Sequence, residues 1–121
     1  MSRAESPAAG RFSAEALAEL EEIVSHYPER KAAMLPAIWI AQREYGGCLT
    51  HEALEEVARL LGRPAVEVEG VATFYSMYNL APVGKYLVQV CTTTPCWLCG
   101  SSKIVDACEK SLGVHMGDST K

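Results

Sequence analysis

The spacing of apolar residues changes once along this chain, near residue 80, and this change constrains the architecture most. Before it, apolar residues recur three and four positions apart, as on the buried face of an α-helix. One stretch has Leu54, Val57, Ala58 and Leu61. Ser13 and Thr50 stand where helix N-caps are expected, and glycines end two of the periodic stretches. The sequence therefore predicts a helical bundle over residues 13–80, preceded by a flexible leader over residues 1–12.

Four helices are expected in this bundle. They would run from Ser13 to the break at Pro28, from Ala33 to Tyr45, from Thr50 to Gly62, and from Pro64 to Tyr78. Val66–Glu69 in the fourth segment alternates as a strand does, but apolar residues at helical spacing favour a helix there.

After residue 80 the pattern becomes that of mixed structure. Lys85–Cys91 is short and rich in β-branched and aromatic residues, which predicts a strand, and Val114–Met116 could begin another. Between them a helix is expected from Ser101 or Ser102 to Leu112. Its inward face would comprise Ile104, Val105, Cys108 and Leu112. The expected fold class is α+β, with residues 81–121 forming the first part of an α/β domain. A sheet usually needs three or more strands, so we expect the chain to end inside that domain.

Composition excludes several classes of function. Hydrophobic residues make up 49% and charged residues 21%, which indicates a folded chain. The net charge of −4 argues against nucleic-acid binding, which needs a basic surface. No apolar run approaches the ~20 residues that span a bilayer, so no direct membrane insertion is expected. Residues 1–70 carry seven basic and twelve acidic side chains, and the remainder is nearly neutral.

Several residues are interpreted without a functional role. The glutamate pairs at 21–22 and 55–56 are interpreted as solvated helix faces. Cys48 and Cys108 are interpreted as ordinary core cysteines, because free cysteine is among the most buried residue types. Phe74, Tyr75 and Tyr78 are expected in the core or at an interface.

Three of the five cysteines lie close together, between the predicted strand and the predicted helix. Cys91, Cys96 and Cys99 form a C-x4-C-x2-C run. Backbone N–H groups at a helix N-terminus stabilise thiolates, and the threonine hydroxyls between the first two cysteines are expected to help. Three interpretations remain open on spacing alone. Cys91 and Cys96 could be two of four ligands to a 2Fe–2S cluster, the whole run could ligate a plant-type cluster with Cys108 as the fourth ligand, or Cys96 and Cys99 could be a redox dithiol.

Longer motifs resemble one family. The segment FYSMYNLAPVGKY at residues 74–86, followed by VQVCTTTPC, resembles the E subunit of bacterial NADH–quinone oxidoreductase, the respiratory complex I. The segment LPAIWIAQREYGGCLT at residues 35–50 is similar to the same family. The resemblance covers residues 13–121.

This resemblance implies a helical bundle followed by a thioredoxin-like domain that holds a 2Fe–2S cluster. The family's ligands are a C-x4-C pair, carried over here as Cys91 and Cys96, and a later C-x3-C pair. The implied partners are the subunit that binds FMN and NADH and other subunits of the peripheral arm. The implied location is the cytoplasmic side of the bacterial inner membrane, or the matrix side in mitochondria. The subunit would serve an oxidoreductase without being catalytic alone.

The sequence departs from this pattern in two places. It contains no C-x3-C pair, so we expect a C-terminally truncated chain with two of the four ligands. Cys99 stands where the family is not expected to have a ligand, and it is kept as a possible third one. The alternatives are a subunit of an NAD-linked hydrogenase or formate dehydrogenase, or a cluster-free thioredoxin-like dithiol or interaction module. No G-x-G-x-x-G fingerprint is present, so nucleotides are expected to bind elsewhere.

Overall fold

The computed structural model describes residues 10–120, and its contacts divide the chain after Pro82 into two compact units. The first unit contains four α-helices, with a 3₁₀ turn at Arg30–Ala33 before the second. They are α1 (Ala14–Ser25), α2 (Met34–Glu44), α3 (His51–Leu61) and α4 (Ala65–Phe74). The second unit contains the short helix α5 (Thr94–Leu98) and the longer α6 (Ser101–Leu112). No helix among the described residues is long and apolar enough to cross a membrane.

Local capping explains where the helices of the first unit begin and end. The hydroxyl of Ser13 accepts a hydrogen bond from the N–H of Ala16 at 3.1 Å, and Thr50 caps α3 in the same way. Gly62 ends α3 in the left-handed conformation, with φ = 65°, which costs glycine little because it lacks a Cβ. These predicted helix limits are confirmed. The fourth predicted segment is also a helix, although it ends at Phe74 rather than Tyr78.

The four helices enclose one apolar core. α2 packs against α1, α3 and α4, and α3 packs against α4. The largest side chains with almost no solvent exposure are Leu20, Ile38, Val57 and Val68. Of the aromatic residues expected in the core or at an interface, Tyr78 is buried, whereas Phe74 is 79% exposed.

Glu56 corrects one interpretation of the sequence. The pattern places it on a solvated face of α3, yet it is only 6% exposed. Its carboxylate accepts hydrogen bonds from the Tyr45 hydroxyl at 2.6 Å and from the backbone N–H groups of Arg11 at 3.0 Å and Phe12 at 3.4 Å. The guanidinium of Arg59 lies 3.6 Å away. A buried carboxylate is tolerated because these donors replace its hydration.

The same contacts hold the described end of the predicted leader. Phe12 is buried in the core. A Cβ on Gly10 would collide with the Glu56 carboxylate, so glycine allows the backbone to approach that group closely. Residues 10–12 are therefore packed against α3, where the sequence predicts a flexible leader. Residues 1–9 lie outside the described part of the chain.

The predicted strands of the second unit are not formed. Within residues 10–120 the regular structure is helical, and Lys85–Cys91 and Val114–Met116 are irregular. The physical reason is that a strand needs a paired neighbour for its backbone N–H and C=O groups. The α+β expectation is therefore not met in the described residues. α6 forms as predicted and ends at Gly113, but Ile104 and Leu112 of its expected inward face are exposed.

Candidate metal centre

A short helix follows the first of the clustered cysteines. α5 begins after Thr93, with Pro95 in its first turn, and the N–H of Trp97 donates to the Thr93 carbonyl at 2.9 Å. The sequence pattern predicts no helix between the strand at Lys85–Cys91 and the helix from Ser101 or Ser102. Proline is common in the first turn of a helix, where its missing N–H has no intrahelical partner to lose. The Thr94–Pro95 dipeptide was therefore the signal that could have predicted this helix.

Thr93 is the nearest polar partner of Cys91. Its Oγ1 lies 3.0 Å from the Cys91 Sγ. The Thr93 hydroxyl, its backbone N–H and the Cys96 thiol each hydrogen-bond the Cys91 sulfur, and together they hold the pKa of Cys91 below its ordinary value. The Thr93 hydroxyl therefore lies where a threonine hydroxyl is expected to act on this sulfur. Hydrogen bonds to sulfur also tune the ligands of an iron–sulfur cluster.

Cys96 lies close enough to Cys91 for the two thiols to affect each other's pKa. Donating to the Cys91 sulfur, and lying close to its negative charge, raises the pKa of Cys96. The loop of residues 92–95 therefore turns back far enough for each of these two thiols to shift the pKa of the other. Of the five cysteines, these are the two that the resemblance assigns as ligands.

The other cysteines do not complete the set. Cys99 is the C-cap of α5, and its side chain is exposed. Cys48 and Cys108 are half-buried, which differs from the core positions expected for them. For Cys108 the reason is that α6 lacks a covering layer on its apolar face. In the described part of the chain, no three His, Cys, Asp or Glu side chains are placed to hold one metal ion, so the plant-type C-x4-C-x2-C set with Cys108 is not assembled.

The sequence on either side of the two thiols is poor in acidic residues. No aspartate or glutamate occurs between Glu69 and Asp106, whereas Lys85 and Lys103 lie in that interval. Thiolates are soft donors typical of iron–sulfur sites, and a cluster takes four such ligands. The pair Cys91 and Cys96 therefore fits one half of a cluster's ligand set in donor type, hydrogen bonding and charge.

Comparison with known proteins agrees with this chemistry. The family model described as thioredoxin-like [2Fe-2S] ferredoxin matches residues 20–121. The chain belongs to this family.

Relatives in this [2Fe-2S] ferredoxin family carry specific names. The chain is 50% identical over 103 residues to the E subunit of NADH-quinone oxidoreductase from Rickettsia conorii, covering 84% of this chain and 62% of that protein. It is 46% identical to the E subunit of NADH-quinone oxidoreductase from Rickettsia bellii, and the match covers 91% of this chain and 67% of that protein. "NADH dehydrogenase [ubiquinone] flavoprotein 2, mitochondrial" of Dictyostelium discoideum is 40% identical over 90% of this chain and 45% of its own length. The resemblance read from the motifs is confirmed, and the chain spans about three fifths of the first of these relatives.

Proposed function

We propose that Cys91 and Cys96 are two of the four ligands to a [2Fe–2S] cluster in an electron-transfer subunit of an NADH:quinone oxidoreductase. The observation that carries this proposal is that the two thiols, at the spacing of the family's first ligand pair, lie near enough for each to shift the pKa of the other. The family membership and the names of the relatives support it. The other two thiolate ligands would be cysteines other than Cys91 and Cys96.

The residues around the pair would prepare it for a metal. The Thr93 hydroxyl and N–H hold the Cys91 sulfur as an oriented hydrogen-bond acceptor, and thiolate is the form that binds iron. No aspartate or glutamate occurs in the sequence between Glu69 and Asp106 to oppose negative charge on the ligands. When bound, the cluster would carry single electrons, and the protein would tune its potential through hydrogen bonds and charge.

The proposed partners follow from what the chain lacks and from the relatives' names. It has no dinucleotide-binding fingerprint, so NADH and FMN would bind to a partner subunit, next to other subunits of the peripheral arm. The subunit would be peripheral, on the cytoplasmic side of the inner membrane in a bacterium. The relatives' names favour this complex over an NAD-linked hydrogenase or formate dehydrogenase.

The test measures the iron content of the protein purified from the cells that naturally produce it. We expect bound iron and visible absorption in the natural protein, and the loss of both in Cys91→Ala and Cys96→Ala. Cys48→Ala and Cys108→Ser are matched controls, because these thiols lie outside the pair. Unchanged iron content in the Cys96→Ala variant would refute the assignment.

The same preparation separates the cluster from the dithiol interpretation. The neighbouring thiol that shifts the pKa of Cys96 is Cys91, not Cys99. We therefore expect Cys99→Ser to retain full iron content and its visible spectrum. A disulfide between Cys96 and Cys99, trapped by alkylation and found by mass spectrometry in iron-free protein from cells, would favour the dithiol instead.

A further inference from the structure

An apolar groove lies on the surface of the first unit, between α1 and α2. Its volume is about 560 Å³. Its apolar lining consists of Ile23, Leu35, Pro36, Trp39 and Ile40. Glu19 and Arg43 complete the lining and form an ion pair with 2.5 Å between Oε2 and Nη2. The groove therefore has an apolar floor and a charged rim, and it belongs entirely to the helical unit.

Trp39 is the prominent side chain of this groove. It is 48% exposed, and its ring packs edge-on against Tyr78 with 5.7 Å between the centroids. Tyr78 is buried and donates a hydrogen bond to the Leu35 carbonyl at 2.9 Å. The indole is thus held in place by a fixed neighbour while its outer face is open. Pre-positioned tryptophans of this kind are enriched among the residues that dominate binding at protein interfaces.

The charge on the α1 side of the groove is negative. Glu15, Glu19 and Glu22 are spaced by four and three residues along α1, which places them on one side of the helix. Glu44 lies at the end of α2 near the same rim. Arg43 contacts Glu19 and Glu44, the latter at 3.6 Å. Within the described residues, Glu15 and Glu22, which flank Glu19 on α1, form no ion pair, so two negative charges lie uncompensated beside the groove.

We infer that this groove binds an amphipathic helix of a partner protein that carries lysine or arginine beside its apolar stripe. Two helices lying side by side form a channel suited to a third, whose anchors would repeat at i, i+4 and i+7. α2 has 11 residues, or about 16 Å at 1.5 Å per residue, which is enough for three such anchors. The basic residues would face the carboxylates of α1.

Charge also argues against a second copy of this chain as the occupant. Residues 10–82 carry six basic and eleven acidic side chains, a net charge of −5. Two such units would repel each other, and juxtaposed like charges disfavour a partner. The same net negative charge favours a partner helix that carries basic residues.

The test uses two labelled peptides and this chain. Both are alanine-rich helices of about 15 residues with leucines at i, i+4 and i+7; one has lysines beside the stripe and the other has glutamates at those positions. Binding is followed by fluorescence anisotropy at low salt and at physiological salt. We expect the lysine peptide to bind at least about tenfold more tightly than the glutamate peptide, a difference of about 1.4 kcal/mol.

Variants locate that binding in the groove. Trp39→Ala should weaken the lysine peptide about tenfold. Glu15→Lys with Glu22→Lys should weaken it by a similar factor while leaving the Glu19–Arg43 pair intact. Glu55→Lys with Glu69→Lys is the matched control, since it makes the same charge change at exposed positions on α3 and α4. Circular dichroism checks that each variant is folded.

Each outcome decides the proposal. Selective loss in the α1 double variant and in Trp39→Ala supports it. Equal losses in the two double variants would show attraction to an acidic protein without a site, and the proposal would fail. Failure of both peptides to bind would overturn it, as would self-association of the chain that Trp39→Ala abolishes in analytical ultracentrifugation. The groove does not involve Cys91 or Cys96, so these measurements and the iron measurements can fail independently.

Discussion

The two units of this protein follow the same helical pattern but differ in what covers their apolar side chains. In the first unit, four helices bury Leu20, Ile38, Val57 and Val68 almost completely. In the second, α6 forms a regular amphipathic helix, yet Ile104 and Leu112 remain exposed. An amphipathic pattern is therefore sufficient to predict a helix, whereas burial also requires a partner surface. The stability of the two units should respond very differently to similar substitutions.

The largest effect is expected from paired truncations of isoleucine. Ile38→Ala removes a fully buried side chain and should destabilise the protein by about 2–5 kcal/mol through lost burial and a cavity. Ile104→Ala removes a side chain that is 55% exposed and should cost less than about 0.5 kcal/mol. Urea denaturation measures both. A cost for Ile104→Ala comparable to that for Ile38→Ala would break the comparison, because it would show that α6 is covered in solution.

Glu56→Gln should be the next largest change. The amide has one acceptor oxygen where the carboxylate has two, and its NH₂ group would face either the Phe12 N–H or the Arg11 N–H together with the Tyr45 hydroxyl. The expected cost is about 2–3 kcal/mol. Hydrogen exchange should become faster at whichever of these two amides loses its acceptor. Glu55→Gln, at the exposed neighbouring position, should change neither quantity, and slow exchange in the Glu56→Gln variant would contradict the proposed contacts.

Alkaline pH tests the buried tyrosine of the same network. Burial, and then the hydrogen bond to Glu56, raise the pKa of Tyr45 from 10.0 to about 12. Because the folded state favours the protonated phenol, this stabilisation is complete below pH 10 and is lost as the pH rises towards 12. The loss is on the order of 2 kcal/mol. Tyr45→Phe should flatten the free energy of unfolding over that interval, although Tyr78, whose pKa is also raised to about 12 by burial, will contribute a further slope. An unaltered slope in the variant would mean that Tyr45 is not the group involved.

The smallest effect belongs to the second unit and concerns reactivity. In metal-free protein, Thr93→Val removes the hydroxyl 3.0 Å from the Cys91 sulfur and should raise the pKa of that thiol. Alkylation of Cys91 by iodoacetamide near neutral pH should then slow by about threefold, since the thiolate is the nucleophile. Mass spectrometry of the labelled peptide measures the rate. Thr92→Val is the control, and an equal slowing in that variant would mean that the Thr93 hydroxyl is not responsible.

Much of the first unit could be predicted because its signals are local. Ser13, Thr50 and Gly62 act through hydrogen bonds and backbone angles within a few residues of their own positions, so their spacing to the apolar stripes was sufficient. The helical pattern also prevailed over the strand-like alternation of Val66–Glu69.

The contacts that sequence reasoning missed join distant residues. Glu56 contacts residues more than 40 positions away in the sequence, and nothing in its own helix distinguishes it from Glu55. The buried amide of Gln42 accepts a hydrogen bond from the Asn79 N–H at 2.7 Å, which also could not be inferred from spacing. The predicted strands failed for a related reason, because a strand depends on its neighbours rather than on its own composition.

For the candidate metal centre, the spacing of the cysteines identified the candidate ligands, and the structure reduced the number of interpretations. C-x4-C-x2-C allowed three interpretations, and the mutual pKa effect of Cys91 and Cys96 favours that pair. The assignment of that pair as ligands came from the resemblance and stays a prediction until iron is measured.

The hydrogen bonds from the Arg11 and Phe12 N–H groups to Glu56 have a practical consequence for expressing fragments of this protein. A fragment cut at Ser13, where the helical pattern starts, would keep every helix of the first unit. It would nevertheless leave the buried Glu56 carboxylate of α3 without the hydrogen bonds that the Arg11 and Phe12 N–H groups donate. A fragment of this region should therefore begin no later than Gly10. A tag should be joined upstream of that glycine, so that the tag does not collide with the Glu56 carboxylate.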